Sequence, residues 1–286
     1  MKNIIWLASY PKSGNTMLRI FLSCYFFTKN GTLDDLHIIK NITIFNNYNV
    51  FKKINGIDSK NEFIKNPSTI SKYWIEAQKK LYDLYPKKVF LFKTHNSRIK
   101  HNNVFFTNEK FTRAFIYIVR DPRSVLVSAK NHYNYKSYED SLKNLLSDKH
   151  LSLAKYHVLP EFLLSWKTNY LSWKNFLKEN PDLGLIIKYE DLVKKPKNEL
   201  LKIFQFISKK HFIKFDQTKF NNALKSIKLK NLQKLESIQG FDEKGENSGK
   251  FFRKGLIDEW KVKLNTQQIT KIENAFLEEM KELKYL

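Results

Sequence analysis

The sequence predicts an α/β fold in which a central, mostly parallel sheet is flanked by helices. Four short apolar runs are typical of buried strands, and amphipathic runs with helical spacing alternate with them along the chain. An order of strand, loop, helix and strand is typical of a parallel sheet.

Each predicted strand is bounded by polar or turn residues. The strands cover residues 4–8, 89–93, 114–119 and 183–188. One helix is predicted to begin at Pro122, with Asp121 as its N-cap, and the others cover residues 14–28, 160–178, 196–208 and 266–284. Because ligands bind beyond the carboxyl ends of parallel strands, a site is expected in the loops after residues 8, 93, 119 and 188.

The composition predicts one compact domain over residues 1–286. Hydrophobic residues make up 42% of the chain, and no Pro- or Gly-rich linker divides it. The single cysteine, Cys24, excludes an internal disulfide and a cysteine-based metal site within one chain, and its apolar neighbours indicate a core thiol. Cysteine usage favours a reducing compartment, and no apolar run is long enough to span a membrane, so a cytoplasmic location is expected.

The formal charge of +23 raises the question of nucleic-acid binding. The basic residues are spread along the whole chain, however, and they are almost all lysines. This pattern favours a solvated lysine-rich surface over a focused basic patch. The positions of the few arginines are more informative, because a guanidinium binds phosphate with two parallel hydrogen bonds. They are Arg19, Arg98, Arg113, Arg120, Arg123 and Arg253.

The loop "SYPKSGNT" (9–16) follows the first strand and leads into the first helix. It places Gly14 and backbone amides at a helix N-terminus, where unsatisfied N–H groups and the helix dipole attract an anion. Lys12 adds a positive charge, and Ser13 and Thr16 add hydroxyl donors. The segment resembles a phosphate-binding loop without the G-x-x-x-x-G-K-[ST] spacing of the nucleotide-triphosphatase version.

Two further segments carry groups that suit a phosphate. In "YIVRDPRSVLVS" (117–128), Arg120 ends a strand and Ser128 lies about two turns into the next helix. A structural ion pair of Arg120 with Asp121 or Asp191 is the alternative. In "FRKG" (252–255), Arg253, Lys254 and the amide of Gly255 are three consecutive donors, with a basic surface cluster as the alternative.

His95 in "LFKTHNS" (91–97) directly follows a strand, at the same end of the sheet as the first loop. Histidine is the natural general base near neutral pH for removing a proton from an attacking hydroxyl. His95 is therefore the candidate catalytic base, and no cluster of metal ligands is recognisable.

These four segments, in this order, resemble the sulfotransferase family that uses 3′-phosphoadenosine-5′-phosphosulfate (PAPS) as donor, in its cytosolic and bacterial forms. Weaker matches are "WKTNYLSW" (166–173) and "IIKYEDLVKKP" (186–196), and the resemblance covers residues 9 to about 261. It implies a three-layer, P-loop-like α/β fold and an enzyme that needs no metal.

The resemblance also implies residue roles. His95 would deprotonate the acceptor, Lys93 would lie near the transferred sulfonate, and Lys12 would offset charge on the leaving oxygen. The 5′-phosphosulfate would be held by Lys12, Ser13, Gly14, Asn15 and Thr16. The 3′-phosphate would be held by Arg120, Ser128, Arg253, Lys254 and Gly255, and the adenine would lie by Tyr189, Met17 and Leu229.

The sequence departs from the family pattern at three places. Met17 and Leu229 stand where the family often has aromatic residues, so weaker adenine stacking is expected. Asp258 and Glu259 replace a common Gly-Asp pair, and the usual dimer segment is not recognisable in residues 261–273, so no dimer is inferred.

The sequence therefore predicts a sulfotransferase that moves a sulfonate to a hydroxyl, or less often an amine, of a small molecule or glycan. The acceptor pocket is expected from residues 30–80, 133–160 and 235–250, which match the family least. Three alternatives remain open. They are a nucleotide-dependent kinase with Asp191 as its metal-binding carboxylate, a basic nucleic-acid-binding protein, and a family member that binds the nucleotide without catalysis.

Overall fold

A computed structural model describes the chain except for residues 55–56, 58–59, 153–156, 212, 245–248 and 254, and the side chain of His211. It contains two compact units, each made of three segments. The sheet unit comprises Met1–Tyr10, Ile42–Ile118 and Ser147–Ile186. The helical unit comprises Pro11–Asn41, Val119–Leu146 and Ile187–Leu286.

All four predicted strands are present in one sheet. In chain order the strands of the protein are β1 (Ile4–Ser9), β2 (Phe90–Thr94), β3 (Lys100–His101), β4 (Val104–Phe105), β5 (Thr112–Val119) and β6 (Gly184–Lys188). The main sheet has the order β2-β1-β5-β6, and β3 and β4 form a separate antiparallel pair. Strand β1 pairs in parallel with both β2 and β5, so the predicted parallel sheet is confirmed.

The helices alternate with these strands as expected for an α/β protein. Two 3₁₀ helices cover Leu36–Asn41 and Pro67–Tyr73. The α-helices are α1 (Asn15–Phe27), α2 (Tyr48–Phe51), α3 (Asn61–Lys65), α4 (Trp74–Leu84), α5 (Pro122–His132), α6 (Tyr138–Leu146), α7 (Trp166–Glu179), α8 (Tyr189–Lys194), α9 (Pro196–His211), α10 (Gln217–Ser226), α11 (Leu229–Gln239), α12 (Trp260–Lys263), α13 (Thr266–Ala275) and α14 (Leu277–Glu282).

Two helix predictions were wrong in part. Helix α7 begins at Trp166 rather than at residue 160, because Leu164 has a φ of 57°, which an α-helix excludes, and Ser165 caps the helix by accepting from the Thr168 amide. The predicted helix over residues 266–284 is divided at Phe276, whose φ of −124° ends α13 and whose ring is buried.

Aromatic side chains fill the core of the sheet unit. Trp6 of the fully buried β1 packs edge-on against Phe45 and also contacts Phe106, which in turn meets Trp74 of α4. On β5, Phe115 stacks on Phe176 of α7. A strand buried on both faces has a continuous apolar sequence, which is why β1 and β5 are recognisable from the sequence.

Cys24 is fully buried in α1, as predicted for a core thiol. Burial raises its pKa to about 12, so the thiol stays protonated. Within the part of the chain that the structure describes, no helix is both long and apolar enough to cross a membrane.

Candidate active site

The loop between β1 and α1 contains two residues with a positive φ. Lys12 and Gly14 both lie in the left-handed region, with φ of 66° and 96°. A Cβ atom on Gly14 would lie 2.4 Å from Cδ2 of Tyr189, the first residue of α8. Glycine is therefore required at position 14 both by the turn and by the close approach of the tyrosine ring.

The N-terminus of α1 is well suited to an anion. Its N-cap is Gly14, which has no side chain to bind the first helical amides. Ser13 is fully buried, and its Oγ makes no hydrogen bond to any residue that the structure describes. An unpartnered buried hydroxyl beside uncapped amides fits a bound phosphate-like group, and Asn15, itself buried, begins the helix.

Arg120 is held directly against this loop. Its Nη1 donates to the carbonyl of Lys12 at 2.8 Å, and its Nη2 donates to the carbonyl of Leu256 at 3.3 Å. The guanidinium carbon lies 4.3 Å from the centroid of the Tyr189 ring. The structure thus brings together Lys12, Gly14, Arg120 and Tyr189, which the sequence placed in separate segments, and these contacts of Arg120 differ from the ion pair considered as its alternative.

An acidic residue that the sequence did not single out lies at the same loop. Glu243 accepts a hydrogen bond from Thr16 Oγ1 at 3.4 Å and forms a 2.6 Å ion pair with the buried Arg19. Arg19, one turn after Thr16, has no assigned role in the sequence, so no pattern indicated this contact. The Lys12 ammonium lies 4.6 Å above the ring of Phe251, a second contact that no pattern indicated.

The predicted C-terminal anion site is described in part. Arg253 forms a 2.7 Å ion pair with Glu259, one of the two residues at which the chain departs from the family pattern. Gly255 has a φ of 61°, and a Cβ there would lie 3.5 Å from Leu229. Lys254 lies outside the described residues.

Two other predicted nucleotide residues lie on helices of the helical unit. The amide of Met17 on α1 donates to the carbonyl of Gly14 at 3.1 Å, and its side chain is partly exposed. Ser128 on α5 is also partly exposed. The structure therefore places Met17 at the first loop and leaves the Ser128 side chain accessible.

His95 belongs to the sheet unit, directly after β2. Its Nδ1 lies 2.7 Å from the carbonyl oxygen of Ser9, at the end of β1. A carbonyl can only accept, so this contact places the proton of the neutral ring on Nδ1 and leaves the lone pair on Nε2. The side chain is partly exposed, as a general base requires.

The main-chain amide and carbonyl of His95 also have hydrogen-bond partners. Its amide donates to Glu161 at 2.7 Å, and its carbonyl accepts from Asn169 of α7 at 2.9 Å. Lys93, two residues earlier, attracts the Glu161 carboxylate and has a partly exposed side chain. Glu161 and Asn169 were missed, because their sequence distance from His95 gives no signal.

Arg123, the other arginine of the "RDPR" segment, has a packing role. It pairs with Asp121, Glu273 and the carbonyl of Tyr285, and it stacks on Trp260 at 3.8 Å. Among the described residues, no group of three or more His, Cys, Asp or Glu side chains is placed to hold a metal ion.

In sequence, the chain is similar to known sulfotransferases. A family model described as the sulfotransferase domain matches residues 2–284. The amine sulfotransferase of the rabbit, Oryctolagus cuniculus, is 25% identical over 289 residues, which cover 99% of this chain and 83% of that protein. The 3-beta-hydroxysteroid sulfotransferase of the guinea pig, Cavia porcellus, is 25% identical over 180 residues, or 58% of this chain and 55% of that protein.

A mouse sulfotransferase crystallised with PAP has a TM-score of 0.60 and 18% identity, with 98% of this chain and 84% of that chain covered. This likeness confirms the P-loop-like α/β fold, with a central parallel sheet flanked by helices. Since the family model spans nearly the whole sequence, the chain belongs to the sulfotransferase domain family. The members of this family are PAPS-dependent enzymes.

Proposed function

We propose that the chain transfers a sulfonate from PAPS to a hydroxyl or amine of a small-molecule or glycan acceptor, with His95 as the general base. The contact that carries the proposal is the one between His95 Nδ1 and the Ser9 carbonyl. It fixes the tautomer in which Nε2 can take the acceptor proton. The acceptor oxygen or nitrogen becomes a stronger nucleophile as that proton leaves.

The loop around Gly14 is proposed to bind the 5′ end of the donor. Ser13 Oγ and the first amides of α1 would donate hydrogen bonds, and Lys12 would balance negative charge on the leaving oxygen. Lys93 would sit near the sulfonate. When bound, PAPS supplies the activated sulfonate, and the remaining work of the protein is positioning, charge stabilisation and one proton removal.

The 3′-phosphate is proposed to bind Arg120, Ser128, Arg253, Lys254 and Gly255, with the adenine by Tyr189, Met17 and Leu229. Arg253 is already paired with Glu259, so a 3′-phosphate would have to compete with that carboxylate. We further propose that residues 1–286 act as one sulfotransferase domain in the cytoplasm. The proposed acceptors include both amines and hydroxyl compounds, because the names of the rabbit and guinea-pig relatives include an amine and a hydroxysteroid.

The donor assignment is tested by calorimetric titration with PAP, which is PAPS without its sulfonate, and with AMP, ATP and a short oligonucleotide. We expect PAP to bind with a dissociation constant in the micromolar range or below and AMP to bind much more weakly, because AMP lacks the 3′-phosphate. Arg253→Ala should remove most of that difference. Equal affinity for PAP, AMP and ATP would exclude the donor assignment and favour the kinase or nucleic-acid alternatives.

The general base is tested by turnover once an acceptor has been found with labelled PAPS. We expect His95→Ala to lower kcat by about 10²–10⁴-fold while the affinity for PAP is retained. His37→Ala is the control, because His37 is half exposed and pairs with Asp35 at the surface. Equal turnover in the two variants would remove His95 from the mechanism.

A further inference from the structure

We propose that Glu161 is a positioning residue that holds the segment Lys93–Asn96 and thereby sets the orientation of His95. The proposal rests on the proposed function of His95, but the contacts lie entirely within the sheet unit. Glu161 is outside the four segments that resemble the family. Its side chain is almost completely buried, with 3% of its surface exposed.

The Glu161 carboxylate binds the segment at several points. Oε1 accepts from the amide of His95 at 2.7 Å and from Thr94 Oγ1 at 3.3 Å, and Thr94 Oγ1 in turn accepts from the amide of Asn96 at 3.0 Å. The Lys93 ammonium supplies an attractive charge. One buried carboxylate is therefore linked to four consecutive residues, to Lys93, Thr94 and His95 directly and to Asn96 through the Thr94 hydroxyl, and two of the four are proposed to act in the reaction.

The main chain holds Glu161 in place. Its amide donates to Ser152 Oγ at 2.8 Å, and its carbonyl accepts from the Ser152 amide at 2.9 Å. The next residue, Phe162, donates from its amide to Asn96 Oδ1 at 2.8 Å and accepts from the amide of Ser97 at 2.7 Å. The carboxylate is thus carried by a segment that is itself bonded to the loop after β2.

A second buried side chain holds the other side of His95. Asn169 Nδ2 donates to the carbonyls of His95 and Leu163, both at 2.9 Å. The orientation of this amide is fixed because Asn169 Oδ1 accepts from the hydroxyl of Tyr117 at 2.8 Å. Together with the Nδ1 contact to Ser9, the amide, the carbonyl and the ring of His95 each have a defined partner.

The energetics of Glu161 argue against a purely stabilising role. Burial raises the pKa of its carboxyl above the ordinary value, and the hydrogen bonds and Lys93 offset only part of that effect. The ionised form is therefore disfavoured by folding. A glutamine of the same shape would avoid that cost, but its neutral amide oxygen would accept these hydrogen bonds more weakly and it would lose the attraction for Lys93.

The test compares Glu161→Gln with Glu109→Gln, which removes the same charge from an exposed loop of the sheet unit. We expect Glu161→Gln to lower kcat by about 10–100-fold, since small displacements of a catalytic group have effects of that size. KM for PAPS and the dissociation constant for PAP should stay within about twofold of the wild type. The melting temperature near neutral pH should be no lower than that of Glu109→Gln.

Hydrogen exchange gives a measurement that does not depend on activity. In a peptide covering residues 90–99, the amide of His95 should exchange faster in Glu161→Gln than in the wild type or in Glu109→Gln. Glu161→Asp keeps the charge but is one methylene shorter, so it should recover part of kcat relative to glutamine. This variant also keeps the proposal testable if Glu161→Gln fails to fold.

Unchanged exchange together with kcat within about twofold of Glu109→Gln would overturn the proposal. A parallel loss of kcat, PAP affinity and melting temperature would overturn it as well, because that pattern indicates a general packing defect. If the wild type neither binds PAP nor transfers sulfonate, the proposed function fails, and the exchange measurement alone then decides whether Glu161 holds the His95 segment.

Discussion

At the scale of single residues, the loop between β1 and α1 depends on backbone conformations that few residues tolerate. Gly14 has a positive φ and also lies against Tyr189, so two separate constraints act on one position. Lys12 adopts a positive φ as a non-glycine residue, and its carbonyl is held by Arg120. Strain of this kind persists only where surrounding contacts determine it, and it is common at functional sites.

We expect Gly14→Ala to be more destabilising than a glycine substitution that only strains the backbone. Gly240 has a φ of 72° and a ψ of −173°, and a Cβ atom at that residue would meet no atom of the described residues within 4 Å, so Gly240→Ala should cost about 1–3 kcal/mol from backbone strain alone. Gly14→Ala should exceed this by about 1–3 kcal/mol because Tyr189 must move. Urea denaturation of both variants measures the difference, and equal values would show that the tyrosine ring yields freely.

At the scale of elements, the start of α5 combines a helix cap with a buried ion pair. Asp121 caps the helix through the Arg123 amide at 2.9 Å and binds the Arg123 guanidinium at 2.7 Å. Both side chains are less than a tenth exposed. The "RDPR" sequence does not distinguish its two arginines, whereas the folded chain places Arg120 against the loop between β1 and α1 and Arg123 in the ion pairs at the start of α5.

Removing the Asp121 side chain should destabilise the protein by about 3 kcal/mol, because Arg123 would lose its most buried partner and the helix would lose its cap. Asp121→Asn should cost less, since the amide oxygen can still cap the helix. Asp216→Ala, at the exposed N-cap of α10, should cost about 1 kcal/mol and serves as the control. Thermal and urea unfolding of the three variants measure their losses of stability. Equal losses for Asp121→Asn and Asp121→Ala would contradict this ranking.

At the scale of the whole molecule, buried carboxyls set part of the pH dependence of stability. Burial raises the pKa of Glu190 above its ordinary value, although the amide of Asp121 and the hydroxyl of Tyr285 both donate to it. A carboxyl with a raised pKa binds its proton more tightly in the folded state. Its contribution is therefore most favourable at low pH and declines as the pH rises through the folded pKa.

Glu190→Gln removes this titration, so its effect on stability should depend on pH. The difference in melting temperature, Glu190→Gln minus wild type, should be more positive near neutral pH than in mild acid. Differential scanning calorimetry under the two conditions checks this expectation. Glu139→Gln, an exposed surface substitution, provides the control, and a pH-independent difference for Glu190→Gln would contradict the assigned direction.

The formal charge of +23 is also a property of the whole molecule, and it predicts non-specific attraction to polyanions. Binding to a long DNA duplex should weaken steeply with salt and should be little affected by the combined change of Lys12→Ala and Arg253→Ala. PAP binding should instead be lost in that double variant. Fluorescence anisotropy of labelled DNA at several salt concentrations measures the non-specific binding, and calorimetric titration measures the binding of PAP. PAP binding that survives the double variant would count against the proposed site.

The order of elements and the family were already accessible from the sequence by itself. Strands β1 and β5 are continuous apolar runs because they are buried on both faces, and polar loops follow the carboxyl ends of the strands. The start of α7 was misplaced because no sequence pattern revealed the positive φ of Leu164. Local signals fix what neighbouring residues determine, and these were sufficient to predict the loop between β1 and α1 and the position of His95 directly after β2.

Contacts between distant residues were decided only by the tertiary structure. The sequence separates Glu243 from Arg19, and Glu161 and Asn169 from His95, by many positions, so no local pattern joins them. Burial supplies the reason for these pairings, since a buried charge or amide must find a partner wherever the fold places one. The sequence by itself thus determined which polar groups follow the strands, and the fold determined which partners hold them, because pairings between distant residues depend on how the whole chain packs.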